Sequence, residues 1–297
     1  MSSASPSLTL AAPAKINLFL HVTGRRADGY HDLQSVFVPV SLADHVEVTV
    51  TDTPDIELVD PPPGLDSDSE LTCRAARLLA RQTGVKPGAR IRLSKRIPTG
   101  AGLGGGSSDA ASGLIALNRL WRCGLARTEL AALGVQLGAD IPFFLGDGPA
   151  LVEGIGERLT PVTVPPAHVV IAHPGVPAPT GRVFTDIRVC RDTPTLRAEA
   201  WPLGFGRNDL QRAACAVVPE IDALTAALTR SLADAGLHAN SPIRLTGSGS
   251  AVYVMVADAA SAQRAARALE GAGWRAWAAR TLNHLPARNE IAPGELL

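Results

Sequence analysis

The 297-residue chain has no net charge, because 28 basic side chains balance 28 acidic ones. That balance argues against a nucleic-acid partner held by bulk electrostatics. A small anionic ligand needs only a local positive site and stays allowed. Cysteine is sparse: Cys73, Cys123, Cys190 and Cys215 stand far apart with no C-x-x-C pair. This argues against a zinc site and suggests free thiols in a reducing, cytoplasmic setting. No apolar run approaches membrane-spanning length. The opening MSSASPSLTL has no basic segment followed by an apolar core, so no secretion or transit signal and no membrane partner are expected. Repeats and long low-complexity tracts are lacking as well.

What is present suits a folded α+β protein. Hydrophobic residues make up 46% of the chain, and 297 residues are long for one core, so two domains are expected. Residues 61–64 (PPPG) read as a stiff surface turn. The proline-rich stretch 161–166 is a plausible crossing between domains, placing them at 1–163 and 164–297. The second part reads helix (210–217), helix (221–234), strand (243–245), glycine turn, strand (251–256), helix (260–271) and strand (274–279). That pattern implies an antiparallel sheet with helices. Residues 190–206 are irregular, and residues before Thr9 read as a short unstructured extension.

The most informative stretch is 95–111, KRIPTGAGLGGGSSDAA. Ile91, Leu93 and the Lys95 stem alternate like a strand leading to Ile97. Ala110, Ala111, Leu114, Ile115, Leu117 and Trp121 then recur at helical spacing. A glycine loop thus runs into a helix. Glycine admits positive φ, and a helix start offers free N–H groups and partial positive charge, together an anion site suited to phosphate. The G-x-G-x-x-G at Gly100, Gly102 and Gly105 does not make a dinucleotide fingerprint: Pro98 intervenes and LWRCG at 120–124 supplies no acid. A Walker loop would need lysine where Gly106 stands.

The string PTGAGLGGGSSDAA closely resembles the phosphate loop of the GHMP kinases, small-molecule kinases that carry two further motifs. Pro13-Ala14-Lys15-Ile16-Asn17-Leu18 matches the first, and residues 245–251, LTGSGSA, match the last. The resemblance implies an α+β two-domain fold, with a ribosomal-protein-S5-like N-terminal domain and a ferredoxin-like C-terminal domain. It implies ATP and Mg²⁺ as cofactors. The nucleotide phosphates would lie on Pro98, Thr99, Gly100, Ala101, Gly102, Leu103, Gly104, Gly105, Gly106, Ser107 and Ser108. Either serine is a candidate metal contact, and the metal shell is otherwise open.

Residues 14–22 read as a strand with Ile16, Leu18, Leu20 and Val22 on its core face. Lys15, Asn17, Phe19 and His21 fall on the other; a solvated outer face is the bland alternative. In GAD[IV]P, matched by residues 138–142, the family resemblance makes Asp140 the base and Lys15 its partner. By position, Asp140 reads as sitting at a helix exit. Asp109 reads instead as a structural carboxylate favouring the helix dipole. Asp28-Gly29-Tyr30-His31 is a turn presenting an aromatic ring and an imidazole. Residues 13–37, with 137–162 and 173–186, are similar to the family members acting on a cytidyl diphosphate sugar alcohol. That similarity implies Tyr30 and Phe184 around the cytosine, His31 on its edge, and Asn17, Thr180, Gly247 and Ser248 as further substrate contacts. Departures are Gly181 where proline is common and Ala251 where cysteine is common. Another GHMP kinase, or a non-catalytic relative, stays open as a reading. A monomer or weak homodimer is expected.

Overall fold

Alternating apolar residues near the N-terminus form two long strands, β1 (Ser7–Arg25) and β2 (His31–Thr51). They pair antiparallel from Ser7↔Thr49 to Arg25↔His31 across a turn in which Gly29 has φ 88°. This computed structural model describes residues 5–86, 88–197 and 201–285. The other edge of β2 is shared. Residues 33–37 pair with β5 (Ala150–Gly154), and residues 45–51 pair with β4 (Gly88–Ser94). Strand β3 (Ile56–Leu58) runs parallel to β4, and β6 (Arg158–Pro161) closes the far side against β5.

Four helices cover this sheet: α1 (Leu71–Thr83), α2 (Gly105–Leu120), α3 (Arg127–Gly134) and α4 (Ile141–Leu145). Helix α1 begins because the Glu70 carboxylate accepts from the Thr72 and Cys73 N–H groups, and ends at Gly84 in left-handed conformation. Leu79, Leu114, Leu117 and Phe143 pack with Val46, Val48 and Ile91 into one core.

After Pro161 the chain crosses to a second sheet made of β7 (His168–His173), β8 (Arg244–Leu245), β9 (Val252–Val256) and β10 (Arg275–Arg280). Its order is β10-β7-β9-β8 and every pairing is antiparallel. Helices α5 (Thr180–Thr185), α6 (Gln211–Val217) and α7 (Glu220–Asp234) join β7 to β8, and α8 (Ala259–Gly271) joins β9 to β10. This is the β-α-β-β-α-β plan of ferredoxin-like folds. One face of the sheet packs on α6, α7 and α8. The other lies against the first sheet, where Ile16, Leu18, Val36 and Val38 meet Val169, Ile171, Tyr253 and Met255. The whole is α+β.

Several boundaries differ from expectation. Strand β1 starts at Ser7 and pairs at once, so the expected extension does not reach Thr9; residues 1–4 lie outside the described ones. Strict alternation along β1 fails after Asn17. The register shifts between Asn17 and Leu20, and Phe19 turns into the inter-sheet core while His21 is also buried. A bulge adds a residue and re-aims those that follow. The irregular stretch 190–206 has no helix or strand among its described residues. It is held by Arg244, a buried guanidinium that donates to the carbonyls of Gly204, Phe205, Gly206 and Leu18. All four cysteines are free. Among the described residues, no helix is long and apolar enough to cross a membrane.

Arg244→Met should therefore leave buried carbonyls without donors and lower stability by about 3 kcal/mol. Urea unfolding checks this, and a loss under about 1 kcal/mol would mean the segment holds without the guanidinium.

Candidate active site

Glycine placement explains the loop from Pro98 to Ser108. Ala101 and Leu103 are buried and belong to the inter-sheet core, whereas Gly100, Gly102 and Gly104 have φ 66°, 75° and 72°. The loop therefore alternates, with side chains anchored inward and glycines turned toward a cavity. Its carbonyls are taken from behind. Gly100 O accepts from Ala178 N, Ala101 O from Ala251 N, and Leu103 O from Lys15 N at 2.9 Å. Gly102 O accepts from Thr246 Oγ1. In a trans peptide each N–H points opposite the preceding carbonyl, so the N–H groups of 101–104 turn the other way. Gly104 then caps α2, whose start adds more free N–H groups.

No larger residue fits at the two inner glycines. A Cβ on Gly102 would overlap Thr246 O, and one on Gly104 would lie 2.9 Å from Phe144 and 3.2 Å from Lys15. The third motif and the proposed catalytic lysine thus touch the phosphate loop directly.

Two cavities of about 520 Å³ each adjoin at the loop, sharing Gly100, Gly102, Gly104 and Thr180 as wall. The first is lined by Lys15, Asn17, Tyr30, His31, Asp140, Thr180, Phe184, Gly247 and Ser248, which brings together every residue assigned to substrate or catalysis. The second is lined by Pro98 through Ser107 together with Glu70, Lys95 and Asp109. Sequence reading missed Phe37 and Ile155 in the first cavity and Glu70 and Lys95 in the second. Lys95 directly precedes the loop motif, and its charge was the one signal available. Phe37 and Ile155 lie in resembling stretches but are apolar residues to which no role was assigned, and Glu70 lies outside any motif.

Lys15 is buried, with Nζ donating to Asn17 Oδ1 at 2.7 Å, lying 3.9 Å from Asp140 Oδ2 and 4.4 Å from the Phe37 ring centroid. Burial holds its ammonium below the usual lysine range, and Asp140 pulls in the opposite direction. The Asp140 side chain is 31% exposed and borders the cavity. It stands at the N-cap position of α4, with Pro142 in the first turn, so it precedes a helix rather than leaving one.

Asn17 is buried, and its carboxamide is already engaged by Lys15, Ser35, Thr246 Oγ1 and Gly247 N. Thr180 and Ser248 share a hydrogen bond of 2.8 Å. Tyr30 is 62% exposed. His31 is buried with its ring 5.4 Å from that of Phe184, and its Nε2 accepts from Arg191. The imidazole edge assigned to cytosine is thus occupied at one nitrogen by the protein.

Asp109 does not act through the helix dipole. It lies past the first turn of α2, buried, with Oδ2 2.5 Å from Lys95 Nζ, which also bonds Asp44. Dipole effects fade within the first turn, and an ion pair takes their place. Burial pushes the Asp109 carboxyl upward, and the Lys95 ammonium opposes that push. Of the two loop serines, Ser107 lines the second cavity, whereas Ser108 Oγ is buried and makes no hydrogen bond. Among the described residues no group of three or more His, Cys, Asp or Glu is arranged to hold a metal.

The chain matches a family model described as GHMP kinases N terminal domain over residues 70–148. It is 44% identical over 280 residues to a 4-diphosphocytidyl-2-C-methyl-D-erythritol kinase of Aromatoleum aromaticum, spanning 94% of this chain and 95% of that one. A relative of the same name from Herminiimonas arsenicoxydans is 44% identical over 282 residues, spanning 93% and 95%. Among solved structures, a crystal structure of 4-(cytidine 5'-diphospho)-2C-methyl-D-erythritol kinase is similar with a TM-score of 0.78. Identity there is 38%, covering 92% of this chain and 99% of that chain.

Behind the loop, His173 carries a pH-dependent contact. It is buried, and its Nδ1 accepts from Gly175 N at 3.1 Å, which leaves the proton on Nε2 to meet Ser250 Oγ. Ser250 in turn donates to Val176 O. Burial first, then Arg275, lowers the imidazole from 6.5 to about 4. A folded-state pKa below the unfolded one means the unfolded chain binds the extra proton. The contribution is complete above about pH 6.5 and lost as pH falls toward 4, up to about 3 kcal/mol. Unfolding of wild type and His173→Gln at pH 7 and pH 4.5 tests this. The gap between the two proteins should narrow at the lower pH, and a constant gap would exclude His173 as the source.

Proposed function

This chain belongs to the GHMP kinase family, and we propose that it transfers the γ-phosphoryl group of ATP to the 2-hydroxyl of 4-diphosphocytidyl-2-C-methyl-D-erythritol, in the non-mevalonate route to isoprenoid precursors. The observation that carries this reading is the pair of adjoining cavities. A glycine loop with N–H groups turned outward forms their shared wall, and Lys15 and Asp140 stand in the cavity beyond it. One ligand would bring its phosphates to the loop from the second cavity. The other would bring its hydroxyl from the first.

In this mechanism Asp140 accepts the proton of the attacking hydroxyl. The hydroxyl oxygen bonds to the γ-phosphorus as the bridging P–O bond breaks, and ADP leaves. Phosphoryl transfer asks mainly for alignment and charge neutralisation. Lys15, fixed by Asn17 and Phe37, supplies positive charge beside Asp140. The loop amides from Gly100 to Gly106 and the start of α2 hold the nucleotide phosphates. Mg²⁺ would neutralise those phosphates when bound. The Ser107 hydroxyl and the unpartnered Asp109 Oδ1, both at the second cavity, fit it as protein oxygens, since Mg²⁺ commonly takes one or two carboxylates besides phosphate.

Tyr30 and Phe184 line the first cavity away from the loop and suit a planar base between them. Asn17 serves by holding Lys15 and Gly247 in place as well as by facing the substrate. The division at 163 and 164 belongs to the same reading, one sheet on each side of the cleft. So do a cytoplasmic location, independence of nucleic acid and membrane, and action as a monomer or weak homodimer.

Asp140→Asn should fold normally yet turn over about 10²- to 10⁴-fold more slowly, with both ligands still bound. Steady-state assays with ATP and the cytidyl substrate, alongside calorimetric binding, measure this; near-normal turnover would remove Asp140 from the chemistry. Tyr30→Ala should raise the KM of the cytidyl substrate about 5- to 150-fold and leave that of ATP unchanged. Unchanged kinetics on the cytidyl substrate would favour another alcohol and another GHMP kinase reaction.

A further inference from the structure

We infer that Arg191 is a positioning residue for the base slot: one guanidinium fastens the two chain segments that carry His31 and Phe184, and thereby fixes which nitrogen of His31 bears the proton. The inference rests on the substrate reading above. Arg191 lies in the irregular stretch after α5 and carries no motif.

Its contacts converge on the slot from behind. Nη2 donates to Phe184 O at 2.8 Å and Asp186 O at 2.7 Å, and Nη1 donates to Val189 O at 3.1 Å. Helix α5 has only six residues, and beyond the Asp186 N–H that reaches Val183 O its last carbonyls need outside donors. Arg191 supplies one to Phe184 O and, through Asp186 O just past the helix, sets the course of the backbone on which Phe184 sits. Its Nε donates to His31 Nε2 at 3.2 Å. His31 begins β2 in the first sheet, whereas Phe184 belongs to the segment between β7 and β8. The two rings stand 5.4 Å apart, tilted by 30°. Without the guanidinium, nothing else among these polar contacts spans from α5 to the imidazole.

The chemistry follows from the donor. An arginine Nε–H has no acceptor role, so His31 Nε2 must present its lone pair. Burial, with Arg191 and Arg25 beside it, disfavours the charged imidazole. The neutral ring therefore carries its proton on Nδ1. A planar fork with several fixed donors does this, and a flexible ammonium does not. The effect on binding is preorganisation: two rings that would otherwise lose freedom on meeting a base are already held.

The test compares wild type with Arg191→Lys and Arg191→Gln, assayed with ATP and the cytidyl substrate and examined with ¹⁵N-histidine labelling. Both variants should raise the KM of the cytidyl substrate about tenfold, leave kcat within about twofold, and leave the KM of ATP unchanged. The wild-type spectrum should show His31 protonated at Nδ1, and Arg191→Gln should lose that fixed tautomer. Three results would each overturn the inference. One is an unchanged cytidyl KM. The second is a parallel loss in both KM values and kcat, as from general destabilisation. The third is a wild-type His31 protonated at Nε2. If wild type fails to phosphorylate the cytidyl compound at all, the substrate reading falls, and the His31 spectra of wild type and Arg191→Gln decide the clamp by themselves.

Discussion

The Asn17 carboxamide holds the candidate active site together. Its Oδ1 accepts from Lys15 Nζ, Thr246 Oγ1 and Gly247 N, and its Nδ2 donates to Ser35 Oγ. Its backbone carbonyl takes the Tyr253 hydroxyl at 2.7 Å. One buried residue thus joins β1 and β2 of the first sheet to the third motif and β9 of the second. A buried amide whose oxygen takes three donors is specific in a way apolar packing is not, because a partner shifted by an ångström leaves a polar group unsatisfied. Lys15 depends on it most directly. A buried ammonium is costly, and here it is shared among an amide oxygen, a carboxylate and an aromatic face.

The same logic extends to the phosphate loop, which is shaped by what stands behind it. Carbonyls that would face an incoming phosphate are drawn back by Ala178, Thr246, Ala251 and Lys15. Three of those donors belong to the second sheet or its loops. The proposed anion site is therefore a product of both sheets, although all of its N–H groups come from the first half of the chain. Beneath it, Asp44 accepts from the Ile97 N–H at 2.8 Å while Lys95 bridges Asp44 to Asp109 on α2. A buried charge cluster of this kind contributes little net stability but penalises any other arrangement of the strand, loop and helix it connects.

The charge distribution suits the two ligands proposed for the cleft. The loop supplies dipoles rather than formal charge, as suits phosphates that arrive with their own counter-ion. Formal positive charge sits at Lys15, beside the carboxylate proposed as base, and at Arg191, behind the proposed base slot. A chain of zero net charge can hold a polyanionic ligand because only the local field at these points matters.

How much of this was legible in the sequence depended on whether the information was local. The glycine loop running into a helix, the strand that carries Lys15, and the helices of the second half follow from period and from residues with special backbone freedom. The structure has the helices within a residue or two of where the pattern puts them. The bulge after Asn17 was not legible, since Phe19 and His21 continue the same alternation and only pairing with β2 reveals the shift. Nor was the role of Asp109, whose partner Lys95 is near in sequence but whose second carboxylate, Asp44, comes from β2. Arg191 escaped for the same reason: its acceptors are backbone carbonyls and a distant imidazole, which leave no pattern in composition or spacing. The sequence by itself determined which backbone could cradle a phosphate and which segments would be strand or helix, because local sterics and periodicity decide those. Only the tertiary structure decided which side chains converge on the cleft and that Arg191 meets His31, because buried polar contacts are satisfied across elements far apart in the chain.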